Sequence, residues 1–291
     1  FSNGKDFALK FSQQPQAIPQ FFFRFLFPLL QFGSFFHLLQ YSDSQSLEQI
    51  SKLNSKSKFS SASKIEFKSL ELLEDFQISS KDINRLLDWN FDILSVEALP
   101  DKFRHIFTMF HSLNFFESFG VDSKTFGRFV SMLQTEYDKR NNPFHNFNHG
   151  ITVAHGAYFL LKNSTISEML PALEKFAFLF SALCHDVDHT GRNNAFECAS
   201  FSKLAIRYND ESVLENHHAS CTFKILRKDE FNILKDIGEH HLKEFRKHFI
   251  SNVLATDMKK HFELIKAFEL KAASVLENED VGKTINSIRN N

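Results

Sequence analysis

The sequence predicts an all-α fold. Three observations carry that expectation. From Trp89 onward apolar residues recur at helical spacing almost throughout, strand-like alternation is nearly absent, and Gly and Pro are scarce, at 9 and 6 of 291 residues. A hydrophobic content of 43% supports a sizeable core. A net charge of −1 argues against a general nucleic-acid binder, which shows a basic surplus. The 37 Phe are read as compositional bias rather than as an aromatic binding surface.

Residues 1–40 are expected to form an N-terminal segment of their own. Its first half is polar, with Gln13-Gln14-Pro15-Gln16 and Pro19. Residues 21–39 are strongly apolar and close to the roughly 20 residues that a membrane span needs. Arg24, Pro28, Gln31 and His37 weigh against an ordinary span, since charge at depth costs several kcal/mol, although Arg24 lies near one end and can snorkel. The stretch is read as a membrane-associated or spanning helix, with packing on the domain or a partner as the alternative. Neither a basic start nor a small-residue cleavage site frames a secretory signal.

Residues 41–79 are expected to join this segment to the main domain. Tyr41 to Ser63 is Ser/Lys/Gln-rich and reads as a linker. Ile65, Leu70, Leu72, Leu73 and Phe76 outline a short amphipathic helix. The main domain is assigned to 80–291. Ser79-Ser80-Lys81-Asp82 offers N-cap chemistry for a helix through Leu87, and Leu99-Pro100 marks a boundary. Phe103, Ile106, Phe107 and Phe110 share one helix face; Phe126, Phe129, Val130, Leu133 and Tyr137 share the next. Asn141-Asn142-Pro143 breaks that helix.

Chemistry-bearing residues gather in four places. Cys184-His185-Asp186-Val187-Asp188-His189 puts two His and two Asp at the end of the apolar run Phe176–Leu183. Unpaired charge is expensive there, so such groups are paired or bind metal, and His plus Asp is a mixed N/O set suited to divalent ions. In Asn142-Pro143-Phe144-His145-Asn146-Phe147-Asn148-His149 the two His are four apart, one face of a helix if the segment is helical. Glu215-Asn216-His217-His218 and Ala255-Thr256-Asp257-Met258-Lys259-Lys260-His261 complete the set. Each alone passes for a polar patch; four beside apolar helical runs point to a hydrolytic metal site. The cysteines Cys184, Cys198 and Cys221 lack CxxC spacing and are read as reduced thiols of a cytoplasmic protein.

The segments NPFHNFNH, HDVDHTGRNNAFE, SVLENHH and LATDMKKHFELI resemble, in order and spacing across Leu86 to Leu270, the catalytic domain of the class I cyclic nucleotide phosphodiesterases, part of the wider HD-type metal hydrolases. The resemblance implies an all-helical domain that hydrolyses cAMP or cGMP, with a cytoplasmic catalytic part. It implies His149, His185 and Asp186 as metal ligands, Asp186 touching both of two ions, one zinc and the other magnesium or manganese. His145 matches the general acid that protonates the leaving oxygen. His189, Glu215 and Thr256 match groups that hold waters on the second ion, and Asn194 and Phe144 match pocket positions.

Departures from the family pattern are also legible. Phe144 stands where a Tyr is usual, and Thr152 where an Asp commonly follows the metal His. A further Asp ligand and the purine-holding Gln and aromatic clamp have no counterpart before Asn291, and Phe262 to Val281 reads as a charged helix. The chain is therefore expected to be an N-terminal portion of such an enzyme, impaired by itself. The alternatives are another HD-type phosphohydrolase, against which ATDMKKH argues, and a membrane-tethered helical module without catalysis.

Overall fold

The computed structural model describes residues 78–164 and 166–261, together with 263, 266 and 270. Among them the regular elements are helical and no strand occurs, as the missing period-two alternation predicts. The apolar stretch 21–39, the 41–63 linker, the 65–76 helix and most of 262–281 lie outside the described residues. Among the described residues no helix is long and apolar enough to cross a membrane.

Helix α1 (Ser80–Leu86) starts where the cap chemistry predicts: the Ser79 hydroxyl accepts from the Lys81 N–H. Helix α2 (Leu99–His111) carries Pro100 in its first turn, where no N–H is needed, so the Leu99-Pro100 boundary is a start. After the short α3 (Phe115–Phe119), Asp122 caps α4 (Ser123–Asp138) by accepting from Thr125 N–H. The Asn141-Asn142-Pro143 break leads to α5 (Phe147–Asn163), capped by Asn146. Then follow α6 (Ile166–Met169), α7 (Ala172–Cys184), α8 (Asn194–Ala199), α9 (Lys203–Tyr208), α10 (Val213–Leu226) and α11 (Glu239–Leu254).

Helix α7 is the centre of the packing, with α5 and α11 as its main neighbours. Every residue from Phe176 to Cys184 is fully buried, which requires a helix apolar on nearly all sides. Phe176 meets the rings of Phe115, Phe119 and Phe245 at centroid distances of 5.1, 5.1 and 5.0 Å. Much of the Phe content is thus core, each ring contributing roughly 1.5–3 kcal/mol by burial.

The C-terminal end of α7 is where apolar packing gives way to polar groups. The Tyr137 hydroxyl of α4 donates to Leu183 C=O at 3.0 Å and accepts from Asp186 N–H at 3.1 Å. Helix α5 closes on the same spot at Gly150. A Cβ there would meet Leu183 O at 3.0 Å and the Tyr137 ring at 3.1 Å. An added Cβ would force the Leu183 carbonyl or the Tyr137 ring to give way by a few tenths of an ångström, and His149 is the residue just before it. Gly150→Ala is expected to lower unfolding free energy by about 1–3 kcal/mol, the usual consequence of overpacking. Chemical denaturation measures it, and an unchanged midpoint would show that the two helices separate freely.

Candidate metal centre

The site begins where α7 stops. His185 is its C-cap, the chain turns through 185–188, and Asp188 takes a left-handed conformation at φ 59. Asp is one of the few residue types that adopt this region readily. Its carboxylate is fixed by Arg140 Nε at 2.6 Å, Lys139 Nζ at 2.9 Å and His217 Nε2 at 2.9 Å. Burial alone would favour a neutral Asp188. Bonds from His217, Arg140 and Lys139 outweigh it and hold the carboxyl well below the usual range. The turn is thereby fixed two residues from Asp186.

Asp186 Oδ2 lies 3.2 Å from His149 Nε2 and 3.2 Å from His185 Nε2, and the two nitrogens lie 3.2 Å from each other. His149 sits on the first turn of α5, and His185 is fully buried. His185 Nδ1 donates to Ala182 C=O, which leaves the Nε2 lone pair facing the cluster. Two imidazole nitrogens face to face at this distance need a proton or a cation between them. A tetrahedral ion with bonds of about 2.0–2.1 Å holds its donors about 3.3 Å apart. An octahedral ion with similar bonds holds adjacent donors about 2.9 Å apart. The three atoms fit a divalent ion. Burial opposes ionisation of Asp186, but His185, His149 and His218 outweigh it and hold its carboxyl well below the usual range.

The other Asp186 oxygen, Oδ1, faces His218 Nε2 at 3.6 Å. His218 Nδ1 donates to Val187 C=O at 2.7 Å, so its Nε2 also presents a lone pair. Asp186, His189 and His218 form a second group close enough for an ion. His189 differs in tautomer. Its Nδ1 accepts from Gly191 N–H at 3.0 Å, so in the neutral ring Nε2 carries the proton and acts as donor, not ligand. His145 stacks on it at a centroid distance of 3.9 Å. Burial pushes His145 and His189 down to about 4 and His218 to about 3, with Asp186 pulling each partly back. Burial likewise lowers His149.

Of the nine residues singled out in the sequence, eight line one cavity of about 890 Å³: Phe144, His145, His149, Asp186, His189, Asn194, Glu215 and Thr256. The ninth, His185, lies beneath it. His145 is not on a helix with His149, as four-residue spacing would allow. Asn142 Oδ1 accepts from the N–H groups of Phe144 and His145, and α5 begins only at Phe147. The two rings still come within 5.6 Å. Nor does His189 continue the helix of His185, because α7 ends at Cys184.

Glu215, in the first turn of α10, accepts from Asn194 Nδ2 at 2.9 Å, while Asn194 Oδ1 accepts from Leu214 N–H. Burial raises Glu215 to about 7, against the pull of the Asn194 bond. Thr256 donates to Val253 C=O at 2.8 Å. The Phe144 ring packs on His145 and His149 at 4.8 and 4.9 Å, an apolar contact where the family pattern has a hydroxyl. Thr152 donates to Asn148 C=O, within its own helix.

Sequence reading assigned no role to His218, Asp257 or the Tyr137 hydroxyl. His218 was findable, because it lies three residues from Glu215 and shares its helix face. Asp257 lines the cavity and accepts from Ser212 Oγ at 2.7 Å, and its neighbour Thr256 had drawn the assignment. Tyr137 reads as a core position, and nothing in the pattern shows where its hydroxyl goes.

In an unfolded chain imidazoles take up protons near pH 6.5, whereas His145 and His189 here resist to about 4. For these groups, and for His218, the unfolded state binds more protons between those values and stability rises with pH; Glu215, raised to about 7, acts the other way but is one group against three. For the chelator-treated protein the melting temperature is expected to fall as pH drops from 6.5 to 4. His189→Gln should flatten part of that slope, and an unaltered slope would show that His189 titrates as if exposed.

Residues 144–288 match the family described as 3′5′-cyclic nucleotide phosphodiesterase. The 3′,5′-cyclic-nucleotide phosphodiesterase regA of Dictyostelium discoideum is 38% identical over 181 residues, 62% of this chain and 23% of that protein. The high affinity cGMP-specific 3′,5′-cyclic phosphodiesterase 9A of Pan troglodytes is 37% identical over 172 residues, 59% of this chain and 28% of that protein. The crystal structure of the phosphodiesterase domain of the RhoPDE fusion protein from the choanoflagellate Salpingoeca rosetta superposes with a TM-score of 0.61 at 36% identity. It covers 69% of this chain and 59% of that one. The chain thus spans about a quarter of the length of these curated relatives. With residues 144–288 matching that family and a shared helical fold at 36% identity, the chain belongs to the class I cyclic nucleotide phosphodiesterases.

Proposed function

We propose that the protein hydrolyses 3′,5′-cyclic nucleotides, cAMP, cGMP or both, to 5′-nucleoside monophosphates. One observation supports this most: a single buried carboxylate, Asp186, points one oxygen at His149 and His185 and the other at His218, beneath a cavity lined by His145. A shared carboxylate with imidazoles on both sides suits a two-ion phosphodiester hydrolase.

We assign zinc to His149, His185 and Asp186, whose spacing of 3.2 Å is nearer the tetrahedral value. Magnesium or manganese is assigned to the other side of Asp186, near Glu215 and Thr256. When bound, the ions neutralise the phosphodiester and make water a nucleophile near neutral pH.

The chain's own groups do the rest. Ala182 C=O fixes the His185 tautomer and Val187 C=O that of His218, so both turn an Nε2 lone pair toward Asp186, whose carboxyl is held well below the usual range. His189, with its proton on Nε2, donates toward the cavity; Glu215, held by Asn194, accepts there. His145 is the general acid for the leaving sugar oxygen. Burial keeps its ring neutral, and an entering phosphodiester anion opposes that and favours protonation. Stacking on His189 fixes the plane in which it donates. Net charge supports a small-molecule substrate over nucleic acid, and free cysteines support a cytoplasmic site. Residues 21–39 are proposed as a membrane attachment.

The test is hydrolysis of cAMP and cGMP with added Zn²⁺ and Mg²⁺ or Mn²⁺. His145→Ala is expected to lower kcat by about 10²–10⁴ with metal content unchanged. Turnover that survives this substitution at full rate would remove His145 from the chemistry.

A further inference from the structure

A second set of metal-competent side chains converges next to the Asp186 cluster without sharing a residue with it. Asp188 Oδ2 lies 2.9 Å from His217 Nε2 and 3.8 Å from Cys221 Sγ, and that sulfur lies 3.5 Å from His217 Nε2. His217 and Cys221 are four apart on α10, so one helix face presents imidazole and thiol together. Asp188 reaches them from the turn after α7. All three residues are buried.

We propose that Asp188, His217 and Cys221 form a zinc site distinct from the one at Asp186. Tetrahedral zinc, with bonds of about 2.3 Å to sulfur and 2.0–2.1 Å to nitrogen and oxygen, holds sulfur about 3.6 Å from the lighter donors and those donors about 3.3 Å apart. The three observed separations each fall within about 0.5 Å of that geometry. The mixed N, O and S set is the one zinc takes, and magnesium refuses it for want of oxygen ligands.

The competing occupant is Lys139. Its ammonium bonds the same Asp188 oxygen at 2.9 Å, and its side chain is 38% exposed. Glu136 is its second partner, so Lys139 keeps an ion pair when zinc displaces it. Arg140 bonds the other oxygen, Oδ1, and can remain to orient the carboxylate. On binding, the Cys221 thiol proton leaves to solvent and the His217 proton moves from Nε2 to Nδ1. Zn–S, Zn–N and Zn–O bonds form with no change of oxidation state. The thiolate and carboxylate together balance the ion's two charges. An ion there cross-links the turn carrying Asp186 to the helix carrying His218. The site needs neither the substrate nor the ions of the proposed hydrolase.

The test uses cobalt as a spectroscopic stand-in for zinc. The reduced, chelator-stripped 291-residue chain is titrated with Co²⁺. The near-ultraviolet thiolate-to-Co²⁺ charge-transfer band is followed, which a His/His/Asp site cannot produce. The expected result is a band whose plateau corresponds to one thiolate-bound Co²⁺ per chain, and that is displaced by Zn²⁺, is lost in Cys221→Ser, and persists in Cys198→Ser and His149→Ala. Lys139→Met should move saturation to lower Co²⁺. The proposal is overturned if neither the native chain nor Lys139→Met shows the band, if it survives Cys221→Ser, or if it vanishes in His149→Ala.

Discussion

The interaction on which the rest depends is the one between Asp186 and the imidazoles around it. Asp186 is buried among His185, His149 and His218, which outweigh burial and hold its carboxyl well below the usual range. Lone pairs of His185 and His218 turned toward this carboxylate leave a place for a cation rather than for a further acceptor. Much of the surrounding architecture serves to keep these four side chains together. Helix α5 brings His149, the end of α7 brings His185 and Asp186, and α10 brings His218. Three close contacts hold those ends in register: the glycine at 150, the Tyr137 hydroxyl and the bond from His218 to Val187.

The core explains where the site sits. Helix α7 is enclosed by aromatic residues of neighbouring helices, and its polar functions wait until its last turn is complete. The turn that follows is fixed not by packing but by charge, since Asp188 is clasped by Lys139, Arg140 and His217. A neutral residue at 188 would take this carboxylate from Arg140 and His217 and leave Lys139 with Glu136, and the turn carrying Asp186 would lose its anchor. Structure and chemistry are therefore coupled through two carboxylates, two residues apart, with different tasks. Asp186 offers its oxygens to the cavity, and Asp188 turns its own away from it, toward Lys139, Arg140 and His217.

Much of this was legible in the sequence. The scarcity of Gly and Pro and the helical spacing gave the fold class, and Ser79 and the 141–143 break marked real helix ends. The His and Asp motifs pointed to residues that do converge, because each sits where an apolar run ends. What the spacing could not show was tautomer and hand-off. That His189 accepts a backbone N–H, and so turns a donor rather than a lone pair to the cavity, follows from the chain path at Gly191. That His145 stands outside the helix of His149 follows from Asn142, whose side chain bends the 142–146 segment before α5 begins. His218, three residues after Glu215, shares its helix face and turns to Asp186, whereas His217, two residues after Glu215, turns to Asp188.

The central claim is that one carboxylate serves two ions. Zinc and manganese content after equilibrium dialysis tests it most directly, in the Cys221→Ser background so that only the Asp186 cluster is counted. The account predicts that His149→Ala loses zinc and keeps manganese, whereas Asp186→Asn loses both. An Asp186→Asn protein that retains either ion at full occupancy would contradict it.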